Sequence, residues 1–213
     1  PDGHLKVSVT CNEGQAAYSV MLDDDVVIES SPLGLNTSIG DFSKNLKLKD
    51  ANPDAKQVSE SYTLPNAKIA NISYTANEYT YEFTVAQPQR QRPGQRPQGN
   101  GQAPAQTRDV PAFDVVMHID NNNIAFKYVV YTQGDRKSCL VNNELTAYTF
   151  PEGTTTFLCP QMTPQTGFAR TAPSYETFYE YDAPMGKNGH GRGFTYPALF
   201  KVKAQASAAP AKK

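Results

Sequence analysis

Between Ala172 and Asp182 the chain reads APSYETFYEYD, three carboxylates set among four aromatic residues. In an extended strand, side chains alternate between faces. Glu176, Glu180 and Asp182 would then share one face, and Tyr175, Tyr179 and Tyr181 the other. Carboxylate oxygens in such a row suit a hard divalent cation. Calcium, however, takes about six to eight oxygen ligands, more than three carboxylates on one strand supply, so most ligands would come from elsewhere. The plain alternative is a solvated outer face of a sheet, and composition alone favours it.

Other groups with chemical potential read more blandly. Asp23-Asp24-Asp25 lacks the spaced oxygens of a calcium loop and reads as a hairpin turn. His118 and Asp120 stand two apart on one strand face without a nearby nucleophile, which suits a surface pair better than part of a catalytic triad. Gly189-His190-Gly191-Arg192-Gly193 has no Lys-Ser or Lys-Thr at its end and no strand and helix around it, so it reads as a loop rather than a phosphate cradle. Cys11, Cys139 and Cys159 fall outside zinc-site and redox-motif spacings. Buried thiols are the favoured reading, with a Cys139–Cys159 disulfide left open.

These residues must be carried by strands. Lys6–Cys11 alternates polar and apolar side chains, Asn12-Glu13-Gly14 is a turn, and Tyr18–Leu22 and Val26–Ile28 continue what reads as a three-stranded meander. Tyr79–Val85 and Phe113–Ile119 also alternate, and Ile124–Tyr131 completes a hairpin through Asp120-Asn121-Asn122-Asn123. No stretch of helical length carries an amphipathic stripe. The pattern predicts an all-β antiparallel sandwich over residues 1–202.

Two segments stand apart from it. Residues 86–108 hold seven Gln, four Pro, four Arg and three Gly with no acidic residue. That composition predicts a disordered or polyproline-like insertion joining two neighbouring antiparallel strands. Residues 203–213 read as a flexible tail. The two segments take 7 of the 20 basic residues, leaving 13 against 21 acidic ones and a body charge of −8. A formal charge of −1 denies the chain a basic footprint, and the four Arg of 86–108, which could engage phosphates, have no interleaved aromatic residue to stack on bases, so nucleic acid is not expected as a partner. No apolar run approaches the roughly 18 residues of a membrane-spanning helix.

Pro1-Asp2-Gly3-His4-Leu5-Lys6-Val7 resembles the opening of the N-terminal domain of glycoside hydrolase family 97, which includes bacterial α-glucosidases and α-galactosidases. Ser31-Pro32-Leu33-Gly34-Leu35, Tyr62–Lys68 with Asn77-Glu78, Asn123–Tyr128 and the Tyr175-Glu176 segment are similar to later landmarks in the same order. The resemblance implies a galactose-mutarotase-like super-sandwich that packs on a (β/α) catalytic barrel of the same polypeptide. It also implies that the chain stops short of the domain's last strands.

On this resemblance Glu176 is the residue that reaches across to a calcium ion in the barrel, while Glu180 and Asp182 have no assigned role. The catalytic carboxylate pair and the α-linked oligosaccharide site would lie in the barrel, so the chain alone is expected to be inactive and its parent a periplasmic or secreted bacterial glycosidase. The alternative function is a carbohydrate-binding or surface-adhesion module that uses the Tyr175–Tyr181 aromatics as a sugar platform.

Overall fold

A computed structural model describes residues 2–88, 107–132, 137–161, 178–187, 189 and 191–203. The described residues form fourteen β-strands and no helix, an all-β sandwich of antiparallel sheets. The chain divides into two compact units, the first made of Pro1–Asp23 and Ser30–Tyr148, the second of Asp24–Glu29 and Thr149–Lys213.

The first unit opens with β1 (Leu5–Asn12) and β2 (Gln15–Leu22), paired antiparallel from Leu5↔Leu22 to Asn12↔Gln15. Glu13 and Gly14, both at positive φ, form the two-residue turn that matches strand twist. Glycine is required at 14 on two counts. Its φ is +78°, and a Cβ there would lie 2.8 Å from the Asn45 amide nitrogen. A second such turn, Asp23-Asp24, leads into β3 (Asp25–Leu33), and the order β1-β2-β3 is the expected meander. The three aspartates therefore serve a hairpin, with Asp23 paired to His4 and its amide donating to the His4 carbonyl.

Two further sheets complete the unit. A small one pairs β4 (Leu35–Thr37) with β5 (Gly40–Phe42) and β11 (Val141–Glu144). The larger contains β6 (Leu46–Leu48), β7 (Lys56–Thr63), β8 (Asn71–Pro88), β9 (Thr107–Ile119) and β10 (Ile124–Val130). β8 and β9 are adjacent and antiparallel, as the alternation predicts. Their ladder runs on to Pro88↔Thr107, so five residues of the stretch read as an insertion are paired strand, and the rest of it lies outside the described residues.

Alternation builds the core. Tyr81, Phe83, Phe113, Val115, Met117 and Ile119 are buried, and Phe113 packs against Phe83, Phe42 and Tyr128 with ring centroids 5.1, 6.4 and 5.2 Å away. Burying each such ring contributes roughly 1.5–3 kcal/mol. Across the sandwich, Tyr18 of β2 meets Phe126 of β10 at 5.7 Å. One buried position of β9 breaks the apolar rule. Asp114 accepts a hydrogen bond from the Tyr131 hydroxyl, which keeps a polar side chain satisfied inside the fold.

The second unit contains a three-stranded sheet in the order β13-β12-β14, from β12 (Thr155–Leu158), β13 (Glu180–Pro184) and β14 (Leu199–Lys201). Phe150 stacks on Phe200 at 4.2 Å, and Cys159, Leu158 and Ala183 are buried.

Candidate functional site

Residues 162–177, and with them Glu176 and Tyr175, lie outside the described residues. Immediately downstream, β13 departs from a regular strand. Thr156 pairs with Ala183 but Leu158 with Glu180, so β13 carries one residue more than β12 between these points. The bulge sets Tyr181 and Asp182 together opposite Phe157. Asp182 adopts φ +46°, a left-handed conformation that aspartate tolerates better than most residues. The strict alternation expected for Glu180, Tyr181 and Asp182 is therefore broken at Asp182.

Each carboxylate has its own partners. Asp182 Oδ1 accepts from the Thr155 hydroxyl at 3.0 Å and lies 3.9 Å from Lys201 Nζ, while Glu180 Oε2 accepts from Lys187 Nζ at 3.3 Å. Lysine partners compete with a cation for the same oxygens. No group of three or more His, Cys, Asp or Glu side chains among the described residues is arranged to hold a metal.

The aromatic residues cluster around Phe157, a β12 residue outside the 172–182 segment. Tyr179 stacks on Phe157 with centroids 4.9 Å apart and planes 15° from parallel, and Tyr181 meets the same ring edge-on at 6.0 Å and 81°. Phe157 and Tyr179 thus cover one face of each other, and Tyr181 stands across them, so these three rings do not lie side by side in a plane. Phe178 is 92% exposed and Tyr181 79%. The signal for Phe157 was present in Thr155-Thr156-Phe157-Leu158, a short β-prone run, but its pairing partner is more than twenty residues away.

The remaining candidates resolve into structural roles. His118 and Asp120 do not act together. His118 Nε2 donates to Glu78 Oε2 at 2.6 Å, which holds the Glu78 carboxyl below its ordinary pKa, and Asp120 accepts from the amides of Asn122 and Asn123 to close the β9–β10 turn. Gly191 and Gly193 sit at positive φ in a turn where the Arg192 amide donates to the Gly189 carbonyl, while His190 lies outside the described residues. Cys11 donates its thiol to the Leu46 carbonyl, and burial pushes its pKa up; Cys139 forms no disulfide. A cleft of about 570 Å³ beside β1 is lined by Val7, Val9, Asn77, Tyr79 and Tyr81, with Lys6 its single charged lining residue. It holds no carboxylate pair, the minimum for ordinary glycoside hydrolysis.

The sequence matches the family model described as glycosyl-hydrolase 97 N-terminal over residues 1–209. Among solved structures it is similar to a crystal structure of a β-arabinopyranosidase, at 37% identity and a TM-score of 0.75, covering 95% of this chain and 29% of that one. It is also similar to a glycoside hydrolase family 97 enzyme from Pseudoalteromonas sp. strain K8, solved with panose and with acarbose, at 20% identity and a TM-score of 0.57, covering 75% of this chain and 21% of that one. The second likeness speaks for the fold alone. No curated protein sequence matches. The chain spans less than a third of the length of these solved relatives.

Proposed function

The chain belongs to the glycosyl-hydrolase 97 N-terminal family, and on that footing we propose that it is the non-catalytic β-sandwich portion of a calcium-dependent glycosidase, resting on the catalytic barrel and lending it Glu176. The observation that carries this reading is the family match over 1–209, combined with coverage of 29% of a solved arabinopyranosidase. Glycoside hydrolysis ordinarily needs two carboxylates flanking the scissile bond. Among the described carboxylates, Asp109, Glu82 and Glu180 are bound to lysines, Glu78 to His118 and Asp120 to turn amides.

Bound calcium would neutralise crowded carboxylates and fix the two domains relative to one another. Glu176 supplies one oxygen ligand at most a few residues upstream of β13. The bulge at Asp182 and its bond to Thr155 then hold the downstream end of that segment in place. The parent enzyme acts on an α-linked pyranoside. The likeness to a β-arabinopyranosidase, at 37% identity, favours galacto-configured substrates. A β-L-arabinopyranoside has the ring configuration of an α-galactoside without its C6 hydroxymethyl group.

The test uses the complete polypeptide. Glu176→Gln is expected to weaken calcium binding, measured by calorimetry, at least about tenfold, and to lower kcat with it. Unchanged calcium affinity would remove Glu176 from the site. Comparison of nitrophenyl α-galactoside, β-L-arabinopyranoside and α-glucoside decides the substrate class, and a preference for the glucoside overturns that part.

A further inference from the structure

The longest strand of the fold, β8, outruns its neighbour. Pairing with β9 starts at Asn77↔Ile119, whereas β7 pairs with β8 from Lys56↔Glu78 to Thr63↔Asn71. Residues 58–63 and 71–76 therefore form a two-stranded ribbon that overhangs the sheet. An isolated ribbon of two strands is at best marginally stable in water and needs a third strand or a packed face.

The two faces of this ribbon differ sharply in chemistry. Odd positions carry only Ser, Thr and Asn, knit by a Ser59–Thr75 hydroxyl pair at 2.9 Å and a Thr63 to Asn71 bond at 3.0 Å. Even positions place Val58, Tyr62 and, just past the strand end, Leu64 with Ile72, Tyr74 and Ala76, and one charged residue, Glu60, among them, with Val58 opposite Ala76, Glu60 opposite Tyr74 and Tyr62 opposite Ile72. One end of this face is pinned by Lys56–Glu78, and at its centre the Tyr74 hydroxyl donates to Glu60 at 2.7 Å, which partners the one carboxylate on it. Tyr62 remains 46% exposed and Leu64 41%. A strand pattern with one apolar and one polar face is the pattern of a strand covered on one side.

The size of the face bears on what covers it. From Val58 to Leu64 it is about 20 Å long, and two strands make it about 10 Å wide, or ~200 Å². A stable complex of separate chains buries about 800 Å² per partner. A second copy docked through this face alone falls far short. A partner tied to the same polypeptide needs much less area, because tethering supplies an effective concentration in the millimolar range. The solved β-arabinopyranosidase has about 70% of its length outside the part this chain covers.

We propose that the β7–β8 ribbon is a docking arm whose even-numbered face packs on the catalytic portion of the same polypeptide, an inference that rests on the function proposed above. The test places the photo-crosslinker p-benzoylphenylalanine at position 62, and separately at position 61, in the complete polypeptide. Expected is an intramolecular crosslink from position 62 to a peptide beyond residue 213, and its loss from position 61. Crosslinks from position 62 to a second copy, to residues 1–213, or to nothing overturn the proposal.

Hydroxyl-radical labelling of the unsubstituted protein gives an independent readout. Tyr62 is expected to oxidise as slowly as buried Tyr81, and oxidation at its unfolded-state rate overturns the proposal. Hydrolysis assays on the same preparations separate the two readings. An active glycosidase without the crosslink sinks the arm alone, whereas an inactive protein with the crosslink sinks the functional reading and leaves the arm in place.

Discussion

The sheets of the first unit and the sheet of the second are both rich in aromatic residues, and they treat them in opposite ways. In the first, Phe42, Phe83 and Phe113 are among the most buried side chains of the described residues and join in a continuous set of ring contacts. In the second, Tyr179 and Tyr181 gather on Phe157 while much of their surface faces water. Rings that close on one another from several strands make a core that stands by itself. Rings gathered on one side of a three-stranded sheet make a surface, and exposed aromatic surface of this kind is characteristic of interaction sites.

Substitutions can break that contrast, and the largest effect is expected at its centre. Phe113→Ala, which empties the space between Phe83, Phe42 and Tyr128, should cost ~3–5 kcal/mol in urea unfolding. A cost below 1 kcal/mol, on the order of a surface substitution, would show that the first unit is not the self-sufficient half. Next comes the bulge that shapes the second sheet. Asp182→Val must hold a β-branched residue at φ +46°, and a loss of ~1–2 kcal/mol is expected, with Asp182→Gly losing less. Equal losses in the two variants would point to the Thr155 and Lys201 contacts rather than to the backbone.

Smaller still is Tyr181→Ala, expected within about 0.5 kcal/mol of the parent because the ring is 79% exposed. A loss as large as that at Phe113 would make this aromatic group a second core.

The smallest effect concerns pH. The His4 pKa is raised above 6.5, first by its hydrogen bond with Asp23 and then by the charges of Asp23 and Asp2. Its contribution to folding is therefore complete below pH 6.5 and fades as pH rises through the folded value. NMR titration should find His4 above the ordinary histidine value, and Asp23→Asn should return it. If Asp23→Asn leaves the titration unchanged, the pair does not form in solution.

The fold was largely legible because its strands alternate. Tyr79–Val85 and Phe113–Ile119 announce a buried face every second residue, and Glu13-Gly14 and Asp23-Asp24 supply the residues a two-residue hairpin turn requires. The candidate site was less so. Glu176 entered through a family resemblance rather than through spacing, and Asp182 disturbs the alternation on which the face assignment of its neighbours relied. His118 was read beside Asp120, two residues away, whereas its hydrogen-bond partner is Glu78 on the adjacent strand.

The alternating face of the ribbon was equally readable in Val58, Tyr62, Leu64, Ile72 and Tyr74, yet nothing in the sequence says where β9 ends beside it. Local chemistry, then, was determined by the sequence alone: which segments pleat, where they turn, and which side of each is apolar. Only the tertiary structure decided which strand lies against which, and hence where a bulge falls and which carboxylate meets which lysine. The reason is that side-chain period is a property of a strand by itself, whereas register and neighbours are set by the packing of strands distant in sequence.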